Sequence, residues 1–257
     1  MAAVNEDDDC PQNEASLQAE AQLFAAMGDN KHDHVVRLLG ICSRQGPLWL
    51  IFEYARYGNF MRYLRDHRES EYHEEDCSST SSRNHKMQFI TAQKMFQFAL
   101  QIASGMEYLI SKKILHCDLA ARNVLVFDNE VLKICDFGMA KDVKYHGYYF
   151  RQSKRMLPVK WMSPESMMDK LYTEASDVWS FGVLLWEIAT LGGTPYPSVP
   201  PERLYDLLTS GYRMSCPLDC PRRLHDIMLL CWAADVNERP TFEALSQLFS
   251  KIVKETN

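Results

Sequence analysis

From Glu174 to Leu191 the chain is apolar on most sides, and this stretch limits the possible folds more than any other. A helix that is apolar nearly all round has to be buried, in a protein core or in a membrane. Ser180, Gly182 and Glu187 interrupt it. The apolar run from Val178 to Leu191 is also shorter than the roughly 20 residues that cross a bilayer. The segment is therefore predicted to be the central helix of a helical layer, which other helices must wrap. The chain supplies them. Met95, Phe98, Ile102, Met106 and Leu109 recur three or four apart, which predicts a helix of about twenty residues after Thr91. Pro200-Pro201, Pro221 and Pro240 mark three further helix starts, with Pro240 in a first turn.

The first third reads differently. Leu17, Ala21, Phe24 and Met27 lie at helical spacing within Glu14 to Met27, and Gly28 is a natural stop. Val35 to Cys42 and Leu48 to Phe52 are short apolar runs about Gln45-Gly46-Pro47, a hairpin signal. A second hairpin is predicted from Val124 to Phe127 and Val131 to Cys135 about Asp128-Asn129. Between these regions, residues 67 to 87 are polar and lack periodicity, and they are read as a flexible insertion.

Composition matters mainly for what it excludes. The 28 Lys and Arg against 34 Asp and Glu give a net charge of -6, which argues against nucleic-acid binding. The eight Cys show no metal-finger spacing and no secretory signal precedes them, so they read as reduced thiols. No segment is expected to place this chain in a membrane by itself.

Three motifs stand in a fixed order: His116-Cys117-Asp118-Leu119-Ala120-Ala121-Arg122-Asn123, then Asp136-Phe137-Gly138, then Ser163-Pro164-Glu165 after Pro158-Val159-Lys160-Trp161-Met162. Asp-Phe-Gly alone is a weak signal. All three together resemble the catalytic domain of a receptor-type protein tyrosine kinase, in particular the fibroblast-growth-factor-receptor and Ret/Torso-like members. The resemblance covers residues 14 to 254.

The resemblance implies an α+β, two-lobed protein-kinase fold, with a small lobe over residues 1–55 and a mainly helical large lobe over 56–257. It implies transfer of the ATP γ-phosphate to a protein tyrosine, with ATP and Mg2+ as cofactors. Phosphoryl transfer asks the protein chiefly for positioning and charge neutralisation. Asp118 is the implied carboxylate facing the attacking hydroxyl, and Arg122 lies beside the phenol and the transferred phosphate. Asn123 and Asp136 offer hard oxygen ligands to magnesium. Glu53, Tyr54 and Ala55 resemble the hinge that binds adenine, although a plain strand end is the alternative. Phe52 precedes it as the gatekeeper, and Leu125 contacts adenine from below.

Several residues are implied to be structural. Glu165 pairs with Arg239, Asp177 holds the catalytic-loop backbone, and His116, Phe137, Phe24 and Leu38 stack as an apolar spine. Tyr145, Tyr148 and Tyr149 match activation-loop phosphorylation sites, and simple loop aromatics remain the alternative. Arg151, Lys154 and Arg155 are candidate cations for such a phosphate. Implied partners are a protein tyrosine substrate or a partner kinase, with homo- or heterodimers expected. The implied location is the cytoplasmic face, at a plasma-membrane receptor if the chain is part of a longer product.

The sequence departs from the family in two places. Glu20 matches the glutamate that pairs with the phosphate-binding lysine. No Gly, Lys or Arg precedes it, so the expected small lobe is truncated beside a complete large lobe. Ala2-Ala3-Val4-Asn5 resembles the family's Val-Ala-Val-Lys, with Asn5 in the lysine slot. An uncharged, short Asn cannot replace an ammonium on a long stem. The second departure is Cys117, where the family has an arginine that receives the activation-loop phosphate. Ser163 for alanine is a smaller change. The expectation is a tyrosine kinase domain with weak or no turnover. The alternatives are a silent pseudokinase that serves as a binding module, and a fragment of a longer receptor.

Overall fold

In a computed structural model, the structure describes residues 2–4, 11–28, 31–43, 47–73, 90–144, 146–150 and 157–256. Asn5, Tyr145, Arg151, Lys154 and Arg155 lie outside the described residues, as do 74–89 of the polar stretch.

The sheet-bearing lobe contains β1 (Ala2–Val4), β2 (Leu38–Cys42) and β3 (Trp49–Phe52), in spatial order β1-β3-β2. Both pairings are antiparallel, and Phe52 lies opposite Ala2 on one side and Leu38 on the other. The helix α1 (Pro11–Met27) packs Leu23, Phe24 and Met27 inward, three or four apart as the pattern requires. Val35 and Val36 then seat the chain on the larger lobe. Val36 N–H donates to Ile134 O at 2.9 Å, and Ile134 N–H returns a bond to His34 O at 3.0 Å.

The larger lobe is helical. The helix α2 (Phe60–His73) follows the hinge region, so the polar stretch expected to be loop from 67 begins as helix. Its anchors are Phe60 and Leu64, both fully buried and one turn apart. The helix α3 (Ala92–Ser111) starts where Thr91 caps it, its hydroxyl accepting Lys94 N–H at 3.2 Å. Short strands follow, β4 (Ile114–Leu115), β5 (Val124–Val126), β6 (Leu132–Ile134), β7 (Lys141–Asp142) and β8 (Tyr149–Phe150). The strands β5 and β6 form the second hairpin. Then come α4 (Pro164–Met168), β9 (Leu171–Tyr172), α5 (Glu174–Ala189), α6 (Pro201–Thr209), α7 (Arg222–Cys231) and α8 (Phe242–Thr256). Pro240 stands ahead of α8 rather than in its first turn.

The central helix α5 opens on a capping box of Thr173 and Ser176. Every residue from Ser176 to Ala189 is buried. Phe181 meets Phe242 and Phe249 of α8 edge-on, with centroids 5.7 and 6.1 Å away. Gly182 lets the chain approach the end of α7, because a Cβ there would stand 2.6 Å from Trp232 Nε1. Among the described residues no helix is long and apolar enough to cross a membrane.

Candidate active site

The loop 116–123 is fixed from below by α5. Asp177 is fully buried and accepts His116 N–H at 2.8 Å and Cys117 N–H at 2.9 Å. Cys117 has φ +63°, a left-handed conformation uncommon for a side chain with a Cβ, and the two bonds hold it there. Burial pushes the Asp177 carboxyl up to about 6, against the two N–H groups that favour its charge. His116 is also buried; its Nε2 bonds to Cys135 O at 3.1 Å and its Nδ1 accepts Asp118 N–H at 3.3 Å.

Asp118 is thereby presented with both oxygens engaged. One accepts from the Arg122 guanidinium and the other accepts Asn123 Nδ2–H at 2.9 Å. Asn123 also donates to Asp118 O at 2.7 Å. Burial pushes the Asp118 carboxyl above its ordinary range. Arg122, His116 and Asn123 oppose this shift, and the negative charge of Asp136 adds to it. The two carboxylates therefore sit within Coulombic reach of each other. Asp136 itself is exposed at φ +60°, and one of its oxygens accepts Gly138 N–H at 3.3 Å.

This donor set suits a divalent cation. Asn123 spends its amide N–H groups on Asp118, leaving its carbonyl oxygen, and Asp136 keeps an oxygen clear of Gly138. Two neighbouring carboxylates and a carbonyl are the hard oxygens that magnesium prefers.

A row of rings joins the sheet to the Asp136-Phe137-Gly138 segment and His116. Phe52 contacts Phe24 at 5.2 Å, Phe24 contacts Phe137 at 4.9 Å, and Phe137 contacts His116 at 5.4 Å. Leu38 packs against the same core. Glu20 on α1 accepts Phe137 N–H at 3.2 Å, tying the helix to the Asp-Phe-Gly segment. In the hinge stretch the Glu53 side chain binds Lys133 Nζ at 2.8 and 2.9 Å and accepts Arg37 N–H at 2.9 Å. Glu53 N–H donates to Arg37 O at 3.2 Å and Ala55 O accepts Gly58 N–H at 3.3 Å, so the backbone groups left to meet a ligand include the Glu53 carbonyl and the Ala55 N–H. Among the described residues no hydrogen bond engages Ala55 N–H. Leu125 bridges to Asn59 beside this stretch.

Beyond Asp136, Tyr148 is exposed and Tyr149 is partly buried. The Tyr149 ring lies 6.3 Å from Tyr172 and under Lys141 Nζ at 5.3 Å. Cys117 belongs to the apolar cluster beneath them, with Leu115, Val143, Met162 and Tyr172. The Pro158–Met162 platform is pinned to α5, where Ser180 Oγ donates to Trp161 O at 2.7 Å. Glu165 and Arg239 meet through two parallel bonds, at 2.6 and 3.0 Å.

Glu187 is a residue that the motif reading missed. One of its oxygens accepts both Ala121 N–H and Trp161 Nε1–H at 2.9 Å, clamping the catalytic loop to the platform. Arg122 lies over the same Trp161 ring at 4.3 Å. The signal was a lone carboxylate inside the apolar run from Val178 to Leu191. Its other oxygen is buried and, among the described residues, has no hydrogen-bond partner. Burial pushes this carboxyl up to about 7.

A pH dependence follows from that position. Between the unfolded carboxyl range and about 7, the native state keeps a proton that the unfolded chain has released. Stability should therefore fall as pH rises through that window. Glu187→Gln stays neutral and should flatten the slope between pH 5.5 and 7.5. His32 and His34 are lowered by burial and act in the opposite sense, so the readout is the difference in melting temperature between variant and parent. Parallel curves for the two proteins would refute the protonated Glu187.

A family model described as protein tyrosine and serine/threonine kinase matches residues 3–249. Fibroblast growth factor receptor 1 from Pleurodeles waltl is 46% identical over 243 residues, 95% of this chain. The chain spans 29% of that receptor's length.

Proposed function

Because the chain belongs to the protein tyrosine and serine/threonine kinase family, as a receptor-type tyrosine kinase catalytic domain, we propose that it directs the γ-phosphoryl group of ATP to a protein tyrosine, and does so weakly. The observation that carries this reading is Asp118, gripped by Arg122 and Asn123 and within Coulombic reach of Asp136. A second lone pair on either Asp118 oxygen can accept the phenol proton. Arg122 over Trp161 sits where the platform would receive the phenol ring. Asn123 and Asp136 would hold magnesium, which neutralises phosphate charge when bound. The hinge backbone at Glu53, Tyr54 and Ala55 would pair with adenine, above Leu125. Tyr148 and Tyr149 would be the activation-loop acceptors within the described residues, with Tyr148 the more exposed. The acting location would be the cytoplasmic face of a receptor that dimerises, with a protein tyrosine or a partner kinase as the other reactant. The domain boundary is set near residue 55, before α2.

The weakness is assigned to Asn5. The strand β1 pairs with β3 up to Val4, and the likeness of Ala2-Ala3-Val4-Asn5 to the family's Val-Ala-Val-Lys would give Asn5 the place of the phosphate-binding lysine. Loss of such a cation costs about 10²–10³-fold in rate. Cys117 adds a regulatory change, because a thiol in an apolar cluster offers no charge to a phosphotyrosine.

Transfer from radiolabelled ATP to a poly-Glu-Tyr substrate tests this. The chain should run barely above background, and Asn5→Lys should raise its rate by about 10²-fold. Turnover at an ordinary kinase rate without that change would overturn the weakness and keep the activity. Silence from both proteins, with ATP–magnesium raising the melting temperature, would favour the binding module instead.

A further inference from the structure

The α6–α7 loop carries a second chemistry that the phosphotransfer site does not use. Its sequence is Cys216-Pro217-Leu218-Asp219-Cys220. Cys220 N–H donates to Pro217 O at 3.2 Å, so the chain turns back on itself. Cys216 Sγ then reaches back to Cys220 O at 3.8 Å, while Cys220 Sγ meets Pro221 O at 3.5 Å. Both are partly buried, whereas Leu218 at the tip is 99% exposed. The base of the loop is anchored, since His225 Nε2 bonds to Met214 O at 3.1 Å and Tyr196 N–H donates to Met214 Sδ at 3.3 Å. The loop thus has a fixed base, an open tip and two cysteines brought together by the turn, the thiol of one against the backbone of the other.

We propose that Cys216 and Cys220 form a reversible dithiol–disulfide site, oxidised by a peroxide and reduced by a small thiol such as glutathione. The Cys216 thiolate attacks hydrogen peroxide, the O–O bond breaks, and a sulfenic acid and one water form. The Cys220 thiolate then attacks the sulfenic sulfur, the S–O bond breaks, a disulfide forms and the oxygen leaves as a second water. Two thiols lose two protons and two electrons, and one peroxide is reduced to two waters. Burial and the neighbouring Cys216 push the Cys220 thiol up to about 12, so the second step is the slow one and should accelerate as pH rises. Closure turns both thiols from the backbone carbonyls toward each other, to a bond of about 2.05 Å.

Trypsin cleaves after Arg213 and Arg222, so residues 214–222 leave as one peptide that carries both cysteines. After hydrogen peroxide and alkylation of free thiols, that peptide from the full chain should lack two hydrogens and carry no alkyl group. Glutathione before alkylation should restore two alkylated thiols. Independent alkylation of both after peroxide, or a sulfinic acid on one with the other still alkylated, would overturn the proposal. Phenylarsine oxide provides a second readout, because it needs two thiols within reach. Cys216→Ser and Cys220→Ser should each weaken its capture by about 10²-fold or more, the loss of a chelating second bond. Equal capture by the parent and both variants would place the reactive pair elsewhere and sink the assignment.

Discussion

Arg239→Met should cost about 3–5 kcal/mol of unfolding free energy, or roughly 6–20 °C in melting temperature for a chain of this size. The Arg239 side chain is fully buried and none of its groups is idle. It donates twice to Glu165, once to Ala175 O at 2.9 Å and once to Ala233 O at 3.0 Å. Its guanidinium also lies over the Trp179 ring at 5.0 Å. Methionine would fill the space and leave Glu165 ionised without a counter-charge. Burial alone would raise the Glu165 carboxyl, but the bonds and charge of Arg239 outweigh it and hold that carboxyl low. Without the arginine, Glu165 should titrate high instead. The loss should then be largest at pH 8 and shrink toward pH 5, where the stranded acid is neutral. Thermal melts of parent and variant at both pH values decide this. A variant equally destabilised at both would show that lost packing dominates, not an uncompensated charge.

The same pair shows what could be read from the sequence. Glu165 and Arg239 are 74 positions apart, and no periodicity links them. Resemblance to a family motif brought them together. The residues at the reacting centre were legible for a chemical reason. The proposed roles of base, oxygen ligands and backbone anchor tolerate few substitutes, so Asp118, Asn123, Asp136 and Asp177 stand among recognisable neighbours in sequence. The large helices were legible because α3 and α5 run long enough for apolar spacing to repeat. Two-residue strands such as Ile114–Leu115 and Leu171–Tyr172 are shorter than one period of any pattern. The helical start of the polar stretch escaped because Phe60 and Leu64 anchor α2 from its first turns, after which its polar residues continue the helix. Glu187 escaped because its partners lie 66 and 26 positions away. Glu20 was read only through the lysine slot, whereas the structure also ties it to Phe137 N–H.

Asp118→Asn, placed on the Asn5→Lys background where transfer is measurable, should lower the rate by about 10²–10⁴-fold. The substitution preserves shape and removes the charge proposed to accept the phenol proton. One amide oxygen can still accept from Arg122 or Asn123, so the loop should keep its course. Stability is expected to hold or rise slightly, because burial already disfavours the charged carboxyl and Asp136 adds repulsion. The decisive pattern is this dissociation of activity from stability. A positioning defect would lower melting temperature together with rate and raise KM for the peptide. Loss of a proton acceptor should lower kcat, leave KM for the peptide in place, and abolish the acid limb of the pH–rate profile. That limb should lie above the ordinary aspartate range in the parent, because the carboxyl must be ionised to accept the proton and burial raises its pKa. If the variant keeps the parent's rate, or keeps the acid limb, then another group takes the proton, and Asp118 serves only to orient Arg122 over Trp161.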